Sequence, residues 1–274
     1  MAEFYDIVAW ALDEDLPDIT SEAIFRPDER GRAQLVMKAD GVIAGLTLAQ
    51  YTFMRVESSS QFTAHVKDGD AVKIGDVIAE IESTVIGLLS AERTALNLLQ
   101  RGSGIATTTR RYVDAVAGTR AKIYDTRKTM PGLRKLDKFA VRCGGGANHR
   151  MSLNDMYLVK DNHIDRAGSI DKAVDPIYHA GHPQEGIMIE VRNLVELKQA
   201  MQWMPDYILL DNMTPQQIRQ CVEICEGYEI ELEASGGITL ENVREYAETG
   251  VHRISIGALT HSVTALDISM RMVA

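Results

Sequence analysis

Apolar and polar residues follow two rhythms along this chain, and the change between them divides it. Residues 1 to about 20 read as a helix with acidic patches, closing at Pro17. From Arg32 to Ser83 the period is two. RAQLVMKAD alternates, and VKDGDAVKIGDVIAEIES reads as two short strands around Asp-Gly and Ile-Gly-Asp turns. This hairpin is similar to those of biotinyl and lipoyl carrier domains. A carrier, however, presents its modifiable lysine at the hairpin tip, whereas Lys38 lies on an earlier strand, so the hairpin is read as structural. The period then lengthens. SAERTALNLLQRGSG predicts an amphipathic helix ending at Gly102, with Leu88, Ala95, Leu96 and Leu99 on one side and a polar ridge of Arg93, Asn97 and Arg101. A second helix is expected over residues 104–117.

Beyond it, strand-like runs (AKIYD, YLVK, GIMIEV, YILLD, EIELEA, HRISIG) alternate with helix-like runs (DKAVDPIYHA, interrupted by Pro176, then LVELKQAMQW, PQQIRQCVEIC, LENVREYAE). Asn193 with Glu196, and Thr214 with Pro215 and Gln217, have the spacing of capping boxes. Regular β/α units predict parallel strands covered by helices, in a closed or nearly closed barrel, with a doubly wound sheet as the alternative.

Composition narrows the partners. A chain of 274 residues with 45% hydrophobic and 25% charged content fits one large α/β domain, or a barrel with a smaller companion. A net charge of −10 without a long basic run argues against nucleic acid. No apolar run approaches the ~18 residues that span a bilayer, so no membrane partner is expected. Three cysteines are too few for a disulfide framework. Cys221 and Cys225 lie four apart on one predicted helix without a second pair of soft ligands, and are read as buried small hydrophobes. The expectation is a cytoplasmic protein.

Against this acidic background, positive charge gathers in DTRKTMPGLRKLDKFAVRCGGGANHR, residues 125–150, which points to a small, strongly anionic ligand. Lys135 and Lys138 suit a solvated helix face. Arg127-Lys128 at a strand end and His149-Arg150 after a glycine turn suit a site. The ends of the other strand-like runs are also polar: Lys160, Glu190, Asp211, Glu233 with Ser235, and Ser255 with Gly257. Barrel sites form at strand C-termini, so these groups should converge. The turns Glu233-Ala-Ser-Gly-Gly-Ile and Ser255-Ile-Gly-Ala-Leu-Thr-His261 offer backbone N–H groups to a phosphate. Glu190 and Asp211 suit magnesium or ribose hydroxyls, the structural alternative being helix caps or salt bridges to Arg192.

The motifs AERTALNLLQRGSGIAT, DTRKTMPGLRKLDKFAVRCGGGANHRM, LVKDNHI, ILLDNM, EASGGITLENV and SIGALTHS, in that order, resemble those of the quinolinate phosphoribosyltransferases, type II phosphoribosyltransferases, over nearly the whole chain. The resemblance implies an open or incomplete (β/α) barrel at residues 105–265 with an N-terminal α+β sandwich domain at 1–104, joined by segment 266–274. It implies a pentosyltransferase that joins quinolinate to phosphoribosyl pyrophosphate, releasing pyrophosphate and carbon dioxide, with magnesium as cofactor. By the same resemblance Arg127, His149 and Arg150 hold the quinolinate carboxylates, and Arg93 reaches a neighbouring subunit's site in a homodimer or higher oligomer. Lys128 and Lys160 serve the pyrophosphate and quinolinate ends. Glu190 and Asp211 take ribose hydroxyls and magnesium, and Ser235, Gly236, Gly257 and His261 the 5′-phosphate. Arg192, Ser152 and Gly102 depart from the family's usual residues. The competing readings are the homologue of molybdenum-transport operons, a related phosphoribosyltransferase for another anionic aromatic such as nicotinate, a Schiff-base aldolase using Lys160 or Lys128, and a non-catalytic anion-binding protein.

Overall fold

The structure, a computed structural model, describes residues 5–181 and 186–273. The first four residues of the expected N-terminal helix and the last residue of segment 266–274 lie outside them. The strands are β1 (Arg30–Met37), β2 (Gly41–Val42), β3 (Gln61–Ala64), β4 (Ala71–Val72) and β5 (Val77–Thr84), followed by β6 (Lys122–Tyr124), β7 (Tyr157–Val159), β8 (Ile187–Val191), β9 (Tyr207–Asp211), β10 (Glu231–Ser235), β11 (Arg253–Ser255) and β12 (Ile268–Val273). The chain forms two compact units, one of residues 1–110, 129–145 and 258–274, the other of residues 111–128 and 146–257.

In the first unit β12-β1-β5-β3 form an antiparallel sheet, and β2 pairs with β4. The period of two seen in the sequence does its work here. Ala33, Leu35 and Met37 of β1 turn to one face and pack with Ile78 and Ile81 of β5 and with Leu88, Ala95 and Leu99 of the following helix. Burying each large aliphatic side chain stabilises the unit by about 1.5–3 kcal/mol. That helix is one continuous element, Val85–Ala115, and not two separated at Gly102. The glycines there serve packing. A Cβ on Gly102 would lie 2.3 Å from Ala44 O, and one on Gly104 would lie 2.1 Å from Thr264 O. Helix Arg134–Cys143, from the basic segment, also packs in this unit, placing Leu136 among Ile7, Val8, Leu12, Leu48 and Leu98. Lys138, expected on its solvated face, is fully buried. Leu136, Asp137 and Lys138 are consecutive and all buried, so this helix is covered over about 200° of its circumference, wider than an amphipathic stripe.

The second unit holds a six-stranded parallel sheet in the order β6-β11-β10-β9-β8-β7. First and last strands of the β/α series are neighbours, as in a barrel, but first and second are not. The barrel is therefore open between β6 and β7, and a doubly wound order is excluded. Ala147 bridges to Tyr124 on the free side of β6 and carries the Gly-rich segment to that edge. Thr214 and Gln217 form the reciprocal capping box. Asn193 caps Val195 and Glu196, but the Glu196 carboxylate turns to the Arg192 N–H and guanidinium instead of closing a box. Cys221 and Cys225 are buried, Sγ against Met213 and Met201, and burial pushes both thiols up to about 11. No helix among the described residues is long and apolar enough to cross a membrane.

Candidate active site

Alternation along the barrel strands sorts their residues into two sets. Ile123, Ile189, Ile208, Leu210, Leu232, Ala234 and Ile254 form the outward set, all buried. In register on the other face stand Leu158, Met188 and Glu190, Leu209 and Asp211, Glu233 and Ser235, Arg253 and Ser255, and Tyr124. Met156, Leu158, Met188 and Leu209 make an apolar floor with Tyr207. Above it opens a cavity of about 300 Å³ lined by Thr126, Arg127, Lys128, His149, Arg150, Leu158, Lys160, Leu209, Asp211, Glu233, Ser235 and Ser255. Nine of the residues expected to converge thus share this cavity: Arg127, Lys128, His149, Arg150, Lys160, Asp211, Glu233, Ser235 and Ser255.

The His149-Arg150 corner is built by a buried carboxylate. Asp125, at the end of β6, accepts from the His149 N–H (2.8 Å) and from Asn148 Nδ2 (2.6 Å). In the sequence Asp125 simply closes the run AKIYD; its anchoring role depends on the fold. The Arg150 N–H then donates to His149 Nδ1 (2.8 Å). The Arg150 guanidinium is drawn below its ordinary value by burial, and further by Arg127 beside it. Arg127 Nε is buried and finds no acceptor among the described residues. A buried donor without an acceptor in a cavity wall is suited to an anionic ligand.

Lys160 caps helix Asp161–Ala167, its N–H donating to His163 Nδ1 (2.9 Å), while its Nζ forms an ion pair with Glu190. Arg192 does not compete for Glu190; it pairs with Asp165 and Glu196 on the surface. Burial raises the Asp211 carboxyl above the ordinary carboxylate range, and the neighbouring Glu190 raises it further. Among the described residues no three His, Cys, Asp or Glu side chains converge as an enclosed metal cage. Asp211 lines the cavity, whereas Glu190 is buried beside it and is not part of the lining. A neighbouring pair of carboxylates is nevertheless the donor set magnesium uses when water and substrate phosphates complete its shell, so Glu190 and Asp211 fit that ion.

The glycine turns differ in what is visible. Gly236 has φ +92°, and a Cβ there would meet Asn212 Oδ1 at 2.1 Å, so a side chain is excluded beside Ser235. Gly257 lies two residues beyond the end of β11. Arg93 and His261 belong to the first unit; Arg93 is exposed on the long helix, and His261, also exposed, has Nδ1 2.7 Å from Ser262 Oγ. Arg101, on the same sequence ridge as Arg93, forms no part of a solvated stripe. Its guanidinium pairs with buried Asp137 through Nε (2.9 Å) and Nη2 (2.8 Å). Thr126, Leu158, Leu209, Glu233 and Ser255 line the cavity without having been assigned a ligand role from sequence. Glu233 and Ser255 are among the strand-end groups expected to converge, on the same alternation as Asp211 and Ser235.

Two family models match the chain: quinolinate phosphoribosyl transferase, N-terminal domain, over residues 18–103 and C-terminal domain over residues 105–271. The probable carboxylating nicotinate-nucleotide pyrophosphorylase of Bacillus subtilis is 44% identical over 253 residues, covering 92% of this chain and 87% of that protein. The carboxylating nicotinate-nucleotide pyrophosphorylase of Mycobacterium leprae is 42% identical over 272 residues, covering 97% and 95%. Among solved structures, NadC from Streptococcus pyogenes superposes with a TM-score of 0.95 at 38% identity, covering 99% of this chain and 96% of that one.

Proposed function

The chain belongs to the quinolinate phosphoribosyltransferase family, and we propose that it converts quinolinate and phosphoribosyl pyrophosphate to nicotinate mononucleotide, pyrophosphate and carbon dioxide, a step of de novo NAD synthesis. The observation that carries this reading is the cavity itself. In a chain of net charge −10, Arg127, Lys128, Arg150 and Lys160 face one space with His149, and Arg127 Nε lacks an acceptor among the described residues. One carboxylate does not need so many cations. Two carboxylates and a leaving pyrophosphate do.

In this reading Arg127, His149 and Arg150 hold the quinolinate carboxylates, the planar guanidinium forks matching carboxylate geometry. The pyridine nitrogen attacks C1 of the ribose as the C1–O bond to pyrophosphate breaks. Lys128 and Lys160 stabilise the negative charge that grows on the leaving group. Glu190 and Asp211 hold the ribose hydroxyls and magnesium, which when bound neutralises pyrophosphate charge. Ser235, Gly236, Gly257 and His261 hold the 5′-phosphate. The bond from C2 to its carboxylate then breaks, the electron pair stays on C2 beside the cationic ring nitrogen, and a proton replaces carbon dioxide. No nucleophilic side chain is required. Lys160 Nζ, tied to Glu190, is poorly placed for a Schiff base.

The test is an assay with magnesium, quinolinate labelled at the 2-carboxylate, and phosphoribosyl pyrophosphate. Nicotinate mononucleotide and labelled carbon dioxide should appear in equal amounts, and nicotinate should be a poor substitute. Labelled carbon dioxide without the nucleotide contradicts the reading. The enzyme is also proposed to be a cytoplasmic homodimer in which Arg93 completes the neighbour's site. Inactive Arg93→Ala and Lys160→Ala proteins should then regain part of the activity on mixing; none regained after verified subunit exchange argues against sharing.

A further inference from the structure

Directly after the acidic end of β9 stands a residue to which the chemistry above gives no part. Asn212 follows Asp211 in the run ILLDNM, is exposed, and does not line the cavity. Its φ is +54°, and among the described residues Met204 is the only other non-glycine residue with a positive φ. Side chains rarely adopt that left-handed conformation, and asparagine tolerates it better than most. Glycine tolerates it better still, so the turn alone does not account for an asparagine here.

The carboxamide makes the difference. Nδ2 donates to Asp211 Oδ2 at 2.7 Å. The other side of the same group lies against Gly236: a Cβ built there would be 2.1 Å from Asn212 Oδ1 and 2.6 Å from Asn212 Cγ. The Asn212 N–H meanwhile donates to Ser235 O at 2.9 Å, which carries the β9–β10 pairing past Asp211 and its register partner Ser235. One planar group therefore touches both the carboxylate that ends one strand and the glycine turn that follows the next. In the proposed reaction Asp211 takes ribose hydroxyls and magnesium, and Ser235-Gly236 takes the 5′-phosphate. A furanose ring and a single exocyclic carbon join those hydroxyls to that phosphate, so their separation varies little. A site built on neighbouring strand ends must hold its own parts at a matching separation, and supporting contacts do this.

We propose that Asn212 is a positioning residue for the phosphoribosyl half of the site, its carboxamide setting the Asp211 carboxylate and the Ser235-Gly236 turn at the separation one sugar phosphate spans. Asn212 touches no reacting atom in this role; it acts through Asp211 and Gly236. The inference rests on the proposed activity and assigns the residue to one of its substrates. Loss of the carboxamide weakens binding of the phosphoribosyl group and leaves quinolinate binding alone.

The experiment compares wild type with Asn212→Gly, both as the full chain. Glycine adopts this φ without strain, so the variant keeps the turn and loses only the carboxamide. In steady-state assays with magnesium, the KM for phosphoribosyl pyrophosphate should rise about fivefold, the effect of one lost hydrogen bond. The KM for quinolinate should stay within about twofold of wild type. In calorimetric titrations without metal, nicotinate mononucleotide, which carries the same hydroxyls and phosphate, should bind about fivefold more weakly. Asn212→Asp keeps the shape and tolerates the same φ but has no donor, and should restore neither value. A role confined to the turn predicts that both variants match wild type, and that result overturns the inference. An equal rise in both KM values, or an unchanged affinity for the nucleotide, overturns it too. Wild-type protein inert toward quinolinate and phosphoribosyl pyrophosphate overturns the proposed activity and this inference with it; active wild type with an unshifted KM in Asn212→Gly overturns the inference alone.

Discussion

Arg101 lies on a polar ridge whose surroundings periodicity leaves open, and removing it gives a measurable result. Asp137 has no exposed surface, and its carboxylate accepts from Arg101 through both Nε and Nη2, with the Met130 N–H as a further donor at 3.2 Å. Arg101 Nη2 also donates to Thr260 O at 3.3 Å. Arg101→Met removes the cation and leaves a buried carboxylate with one backbone donor. Breaking a buried pair from one side costs about 3–5 kcal/mol, since the remaining charge keeps its desolvation penalty without its countercharge. For a chain of this size, Tm should fall by roughly 5–9 °C. Arg101→Met with Asp137→Leu removes both charges, and should recover most of the loss, less about 1 kcal/mol for the forfeited Met130 hydrogen bond. The assay is scanning calorimetry of wild type, single variant and double variant in one buffer. A single variant melting within about 2 °C of wild type, or a double variant less stable than the single, refutes the reasoning.

Gly236→Ala should lower kcat/KM at least tenfold, because φ is +92° and the new Cβ would strike Asn212, whose Nδ2 donates to Asp211 Oδ2 at 2.7 Å; steady-state rates within about twofold of wild type would count against this. Gly102→Ala should destabilise the protein in urea although alanine favours helices by about 1 kcal/mol, because a Cβ 2.3 Å from Ala44 O forces backbone apart at about 1–3 kcal/mol. A raised urea midpoint would show that the long helix tolerates the methyl. Burial lifts the Asp68 carboxyl above its ordinary value, opposed by N–H donors from Leu46 (3.1 Å) and Gly45 (2.7 Å). The native state therefore binds this proton more tightly than the unfolded chain, and the resulting stability is full below the ordinary carboxylate pKa and lost as pH rises through the raised one. Asp68→Asn keeps an acceptor oxygen but cannot titrate, so its urea midpoint should decline less than wild type from about pH 4 upward; parallel pH profiles would contradict this.

Much of the site is legible in the sequence because a strand has a period of two and a barrel gathers strand ends. Those two facts place Lys160, Asp211 and Ser235 on one side of the sheet, and the local charge of residues 125–150 adds Arg127, Lys128, His149 and Arg150. Periodicity reports which residues share a face, but not how deep each lies or what covers it. Glu231 and Glu233 alternate identically in EIELEA, yet the Glu231 side chain is 53% exposed and the Glu233 side chain 0%. Arg253 pairs with both, so only their depth in the barrel separates them. Lys138 follows Asp137 in a strongly basic run, yet it is fully buried. Glycine is ambiguous in the same way. Gly102 was read as a helix end because glycine ends helices, whereas the Ala44 carbonyl requires it in mid-helix. The order of elements, the strand faces and the chemical character of the ligand were thus determined by the chain's own pattern. Depth, coverage and close approach were decided by the tertiary structure, since each depends on atoms that neighbour a residue in space and not in sequence.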